Sequence, residues 1–311
     1  MKGHGPTDPL QSPRFAGIST FLRLPHTTQL DGADVAVVGL PFDSGASFRA
    51  GARFGPRAVR EGSLALRPFY NPAQRVAVFD ELSVIDYGDA AVVPGFTDRS
   101  LDAMTTALGT LHEAGVVPLG LGGDHTVLLA GLRAAARRHG PLALVQFDAH
   151  SDTRDEDFGE KYTHGTVVRR ALDEGLIDAT RSTIMGVRGG VSGPRDHDEV
   201  REMGFTLFPW DDLAQLGTGA VAAAVERAVG KAFLTFDIDV VDPAFALGTG
   251  TPECGGPTSM QALALLRACR GLDLAGADVV EVLPDLDSSH LTATLAATVA
   301  FEVLTLMACP R

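Results

Sequence analysis

The segment Asp148-Ala149-His150-Ser151-Asp152 sets three metal-capable side chains at alternate positions. Asp237-Ile238-Asp239 repeats the pattern with two, and Asp124-His125 follows a pair of glycines. On an extended backbone, residues i, i+2 and i+4 project to one side. Asp148, His150 and Asp152 are therefore expected to share a face, and so are Asp237 and Asp239. Carboxylates forced together repel and cannot all ionise cheaply. Bound cations are the simplest remedy. Six ligands, namely His125, Asp148, His150, Asp152, Asp237 and Asp239, suit two cations with two ligands shared. Carboxylate oxygen with imidazole favours Mn²⁺ over structural zinc, which prefers thiolates, although affinity alone excludes neither zinc, cobalt nor iron.

The elements around these residues must bring them together. Apolar runs at 34–39, 116–121, 142–147, 182–187, 232–236 and 278–282 read as strands. Helical patterns at 98–114, 126–139, 166–174, 219–229, 259–270 and 291–307 alternate with them. That alternation implies βα units and an α/β fold with a mostly parallel sheet. Ligands of such sheets bind beyond the carboxyl ends of the strands. The strands at 116–121, 142–147 and 232–236 run directly into the three acidic segments. No internal repeat or low-complexity linker divides the chain. One catalytic domain over 31–311 is expected, preceded by an irregular arm, 1–30, that lies over the surface or is mobile.

Composition narrows the function classes. The chain has 311 residues, 45% of them hydrophobic, which suffices for one large domain with a core. A formal net charge of −13 argues against nucleic acid as a partner. The cysteines are Cys254, Cys269 and Cys309, an odd number without a CxxC, so neither a disulfide framework nor a thiolate metal site is indicated. A reducing, cytoplasmic compartment fits. The start, MKGHGPTDPL, lacks the apolar core of a secretory signal. The stretch 291–309 is the most apolar, but it carries Glu302 and several threonines, so a buried helix is expected rather than a membrane span.

Gly122-Gly-Asp-His125, Phe147-Asp-Ala-His-Ser-Asp-Thr153 and Thr235-Phe-Asp-Ile-Asp239 resemble the three signatures of the ureohydrolases. That family includes arginase, agmatinase and the guanidino-acid hydrolases. The likeness extends to Gly248-Thr-Gly-Thr-Pro252 and Val280-Glu-Val282, and upstream to Gly39-Leu-Pro-Phe-Asp-Ser-Gly45 and Gly51-Ala-Arg-Phe-Gly-Pro-Arg57. It covers roughly 35–307. The resemblance implies a three-layer α/β/α fold, a homotrimer or homohexamer, and two Mn²⁺ per subunit. One ion would be held by His125, Asp148, Asp152 and Asp237. The other would be held by Asp148, His150, Asp237 and Asp239, with Asp148 and Asp237 bridging. It further implies release of urea from a small cationic guanidino substrate. Glu281 would anchor the guanidinium, and His164 would transfer a proton. Read without the resemblance, His164 before Gly165-Thr166 is better explained as a helix-capping or structural histidine.

The resemblance leaves the substrate's other end open. Arginases place an asparagine two residues after the position of Asp152, where this chain has Arg154, which counts against arginase. The loop 153–163 looks like that of the agmatinase and guanidino-acid branch. It carries Asp155, Glu156, Asp157 and Glu160 against Arg154 and Lys161. An ammonium tail wants carboxylates and a carboxylate tail wants Arg or Lys. The acidic excess, with Asp155 as a contact, points to agmatine, and Arg154 points to a guanidino acid such as 4-guanidinobutyrate. A formimino hydrolase that releases formamide shares the metal motifs, and a non-catalytic metal-binding homologue is a further class.

Overall fold

The computed structural model describes residues 1–309. Eight strands form a single sheet: β1 (Val35–Leu40), β2 (Val84–Asp89), β3 (Val117–Gly122), β4 (Ala143–Phe147), β5 (Thr183–Met185), β6 (Thr206–Phe208), β7 (Lys231–Asp237) and β8 (Asp273–Val280). Their order is β2-β1-β3-β8-β7-β4-β5-β6, and every pairing is parallel. Alternate residues of the central strands serve opposite cores. Val35, Val37, Leu119, Leu121, Leu234 and Phe236 pack into one. Ala36, Val38, Leu40, Leu144 and Phe233 pack into the other. Helices α1 (Gly55–Ser63), α8 (Thr218–Arg227), α9 (Ser259–Arg267) and α10 (Leu291–Ala308) cover the first face. Helices α3 (Thr97–Glu113), α4 (Val127–His139) and α5 (Val167–Asp173) cover the second. Three short helices complete the set: α2 (Val78–Glu81), α6 (Asp196–Glu202) and α7 (Trp210–Leu216). The result is the three-layer α/β/α arrangement, with the sheet buried on both sides as parallel sheets require.

Strands β2 and β6 are absent from the sequence expectation. Both are edge strands with mixed composition. In β2, Asp86 and Asp89 interrupt the apolar pattern because both bind Arg60 of α1, at 2.9 and 2.6 Å. Strand β8 starts at Asp273 and ends at Val280, not at 278–282, because Gly276 and two aspartates dilute its pattern and Glu281 leaves the extended region at φ +64°. Helices α1, α2, α6 and α7 are likewise additional. Helix α10 is long and apolar enough to cross a membrane, but 72% of its span is buried inside the protein. It packs on α1 and α9, and its buried Glu302 is held by Arg267, Asn71 and Gln74.

Part of the first 30 residues enters the first of these cores, while Leu10, Phe15 and Ile18 stay exposed. Phe21, Leu22 and Leu24 are buried. The backbone of this segment is bonded to the β2 region, through Val84 N to His4 O (2.9 Å) and Asp86 N to Pro25 O (3.0 Å).

One core histidine gives the fold a pH dependence. His112 of α3 is 4% exposed, its Nε2 lacks a hydrogen-bond partner, and its ring meets His139 edge-on at 5.7 Å. Burial first, then the nearby charges of His139, Arg138 and Lys231, push its pKa down to about 4. The unfolded chain takes up this proton below the ordinary value of 6.5, and the folded chain resists it. Stability from this group is thus present above 6.5 and is lost as pH falls from there towards 4. His112→Phe should flatten the acid side of the melting-temperature profile. Parallel profiles for the two proteins between roughly pH 7 and 5 would refute this.

Candidate metal centre

The four central strands β3, β8, β7 and β4 lie side by side, and each delivers one part of the cluster at its carboxyl end. Strand β3 leads to Asp124 and His125, β8 to Glu281, β7 to Asp237 and Asp239, and β4 to Asp148, His150 and Asp152. His125 Nδ1 lies 3.0 Å from Asp148 Oδ2, 2.9 Å from Asp152 Oδ2 and 3.5 Å from Asp237 Oδ2. His150 Nδ1 lies 3.0 Å from Asp239 Oδ2 and 3.5 Å from Asp148 Oδ1. All six expected ligands therefore meet in one place. Five of them form two compact groups, His125–Asp148–Asp152 and Asp148–His150–Asp239, with Asp148 in both; Asp237, expected as a second bridge, lies 3.5 Å from His125 Nδ1 and joins neither group.

Local backbone chemistry achieves this, though not by the extended alternation expected from the spacing. Asp148 Oδ1 accepts the His150 amide (2.6 Å), which folds the chain into a tight turn just past β4. Asp237 Oδ1 accepts the Asp239 amide (2.8 Å) and starts a 3₁₀ turn, Ile238–Val240. Asp152 adopts a left-handed φ of +53°. Short aspartates thus bend the segments that carry them.

The electrostatics fit a cation. Burial raises the pKa of Asp237, and Asp239 and Asp148 raise it further. Burial also raises that of Asp152. Burial opposes ionisation of Asp148 too, but the imidazoles of His125 and His150 overcome it and hold its pKa below the usual range. The reciprocal effect pushes His150 up to about 12, against its own burial. In the metal-free protein, protonated imidazoles are thus the counter-charges. His125 Nδ1 is fully buried, has no well-formed hydrogen bond and faces three carboxylates. An orphaned imidazole nitrogen among hard oxygen donors suits a divalent ion.

Glu281 and His164 border the cluster. Glu281 Oε1 accepts the His125 amide (2.9 Å) and contacts His164 Nδ1 (2.9 Å). His164 Nε2 accepts the Ser47 amide at 3.0 Å and lies 2.7 Å from the Ser47 hydroxyl. Nδ1 therefore carries the hydrogen that Glu281 receives. Burial would lower the His164 pKa, but the charge and hydrogen bond of Glu281 raise it to about 9. A proton on Nε2 would point at the Ser47 amide hydrogen, so full protonation requires Ser47 to move. His164 is not the cap of the short helix it opens; Thr163 is, through a reciprocal pair with Thr166.

Other residues take supporting places. Asp124 holds the Gly45 amide (2.8 Å), and burial together with Glu281 raises its pKa to about 7. Asp242 binds the amides of Ala244, Gly255 and Gly256 and is a loop-bracing residue. Asp287 caps α10 through Thr292 (2.7 Å). Sequence reading missed Ser47, Gln146, Thr235 and Arg188. Gln146 donates to Asp148 Oδ2 (2.8 Å), and its place two residues before Asp148 on the strand was the available signal. Arg188 donates to the carbonyls of Asp239, Val240 and Glu253, a role that no spacing announces.

A cleft of about 440 Å³ opens beside His150, lined in part by Arg154, Asp155, Glu156, Arg169 and Arg188. The structure does not bring Asp155 to the cluster. Its Oδ1 sits 2.5 Å from the buried Arg170. Arg154 donates from Nη1 to Asp157 Oδ1 (2.7 Å), and its side chain is 56% exposed.

Fold and cluster together define the class: an α/β enzyme with a candidate cation site at the carboxyl edge of a parallel sheet. The sequence pattern of the arginase family matches residues 33–306. The chain is 47% identical to a guanidinopropionase of Pseudomonas aeruginosa over 306 residues, 97% of this chain and 96% of that one. It is 42% identical to a mitochondrial agmatinase of Gallus gallus, over 94% of this chain and 86% of that one. Its structure matches the proclavaminate amidino hydrolase of Streptomyces clavuligerus with a TM-score of 0.90 at 41% identity, covering 96% and 99% of the two chains. The chain belongs to the arginase family and is a guanidino hydrolase.

The shared position of Asp148 has a direct test. Asp148→Asn removes one negative charge from both ligand groups. It is expected to lower the metal content of the purified protein and to abolish turnover. Wild-type metal content by elemental analysis together with full activity would refute the placement.

Proposed function

We propose that the enzyme hydrolyses a short guanidino acid to urea and an amino acid, with two Mn²⁺ held by His125, Asp148, His150, Asp152, Asp237 and Asp239. The observation that carries the choice of tail is the fate of the acidic loop. Asp155 is paired with Arg170, and Asp157 with Arg154 while it also accepts the Thr163 hydroxyl. The acidic excess that favoured agmatine is thereby reduced to Glu156 and Glu160. Arg154 stays half-exposed at the cleft beside His150, where a substrate carboxylate could take its remaining donors. The likeness to a guanidinopropionase supports the same tail. Agmatine is the second reading, supported by the agmatinase relative and by Glu156 in the cleft lining.

The guanidinium carbon is a poor electrophile because resonance spreads its charge. When bound, a pair of divalent cations would lower the pKa of water enough for attack near neutral pH. Glu281 positions the planar cation. Its Oε1 is engaged by His125 N and His164 Nδ1, while Oε2 faces Gly250, where an added Cβ would lie 3.7 Å away. A guanidinium N–H pair can meet that open side. His164 holds a proton between Glu281 and Ser47, within reach of a departing amine once Ser47 shifts.

Two measurements check this. Urea release from 3-guanidinopropionate, 4-guanidinobutyrate, agmatine and arginine should favour one of the guanidino acids, and Arg154→Ala should raise KM for that acid more than for agmatine. A clear preference for agmatine in the wild type would overturn the assignment of the tail. Glu281→Gln should retain bound metal and lose turnover by roughly 10²-fold or more. Unchanged kinetics in that variant would remove Glu281 from the site.

A further inference from the structure

Behind the cluster lies a buried acid that none of the roles above uses. Asp278 is in the middle of β8, 1% exposed, and neither of its oxygens has a well-formed hydrogen bond. A bare carboxylate in an apolar sheet is costly and needs a reason. Its register partner on β7 is Thr235, and on β3 it is Gly120. Room for the acid is built in: a Cβ at Gly120 would come within 3.0 Å of the Asp278 Cβ. Thr235 Oγ1 lies 2.8 Å from His125 Nε2. Burial raises the Asp278 pKa to about 6, with His125 and the Thr235 hydroxyl acting to lower it.

The hydrogen-bond directions follow from His125. Its Nδ1 faces Asp148 and Asp152, the ligand side. If Nδ1 binds a cation, the neutral ring must carry its hydrogen on Nε2. Nε2–H then donates to Thr235 Oγ1. That hydroxyl has used one lone pair as acceptor and has its own hydrogen free, and Asp278, its register partner across the ladder, has two oxygens without a well-formed hydrogen bond to receive it. We propose that Thr235 and Asp278 form a buried relay behind His125 that fixes its metal-binding tautomer and strengthens its hold on the cation. Both are positioning residues; neither touches substrate. The inference rests on His125 being a metal ligand.

The relay should be visible in metal affinity without any turnover. The probe is Mn²⁺ alone, titrated into metal-free protein and followed by the electron paramagnetic resonance of the free ion. Thr235→Val removes the hydroxyl and keeps the shape. Asp278→Asn keeps the shape and an acceptor oxygen, and loses the charge. Each is expected to weaken binding about 10- to 100-fold, the usual effect of losing an outer partner of a ligating histidine. Thr235→Ser should restore wild-type affinity. The double variant Thr235→Val/Asp278→Asn should be no weaker than Thr235→Val, because both act through one chain.

His125→Asn separates the two levels of the argument. If it loses affinity while Thr235→Val and Asp278→Asn bind like wild type, the relay is wrong and the ligand stands. If His125→Asn itself binds like wild type, the ligand assignment falls and takes the relay with it. Lower melting temperatures of the metal-free variants with unchanged affinity would mean a structural role only, and would also overturn the relay. Should Thr235→Val not fold, Asp278→Asn decides: weakened affinity supports the relay and unchanged affinity refutes it.

Discussion

Asp148 is buried completely between two imidazoles, and the charge it carries has to be matched by something. Three further aspartates crowd the same place, so like-charge repulsion and desolvation act together against the folded state. Protonated His125 and His150 offset part of this in the metal-free protein. Cations offset it more fully, because they neutralise carboxylates without requiring both imidazoles to hold extra protons. Much of the surrounding structure serves this balance. Gln146 steadies Asp148, Arg188 pins the carbonyls of the Asp239 turn, and Asp124 holds the Gly45 loop against the cluster.

The sheet order explains why so much charge can be gathered at all. Strands β3, β8, β7 and β4 are consecutive in the sheet although they are far apart in sequence. Their carboxyl ends therefore open on one crevice, beside which α4 and the 3₁₀ turns begin. Close approach of backbones is needed there. A Cβ at Gly123 would fall 1.7 Å from Phe42 O, so only glycine permits the β3 exit to lie against the 42–45 loop. The chain just beyond that loop carries Ser47 to His164, which links the glycine pair before Asp124 to the histidine on the other side of the site.

The candidate ligand set was legible because its residue types are costly to bury and their spacing is tight. Asp148, His150, Asp152, Asp237 and Asp239 announce themselves by type at strand ends. The geometric reason assigned to them was incomplete, because Asx turns and a 3₁₀ turn orient the side chains, and an extended backbone does not. Edge strand β2 was not legible, since its polar residues serve a partner distant in sequence, as Asp86 serves Arg60, and β6 was not legible because it is only three residues long, Thr206–Phe208. The pairing of Asp155 was not legible either: its partner Arg170 lies on a helix that follows, and no local pattern joins them. Thr235 and Gln146 sit on strand faces where spacing alone gives core residues, and only their proximity to ligands reveals a role.

Glu281 shows what the cluster demands of the backbone. A residue continuing β8 in extended form would keep the strand's alternation and direct its carboxylate onto one face of the sheet. Its φ of +64° breaks that alternation, a conformation that costs a non-glycine residue about 1–3 kcal/mol. Two contacts hold it there. Its amide donates to Gly123 O (2.9 Å), and Oε1 accepts the His125 amide (2.9 Å), so the β8 and β3 exits are clasped in both directions. The same clasp puts one carboxylate oxygen on His164 and leaves the other towards Gly250. Removing the strain by a flexible residue would release His125 and His164 together, because one side chain sets both. The strained turn is thus the point at which the candidate ligand His125 and the neighbouring His164 share a single mechanical support.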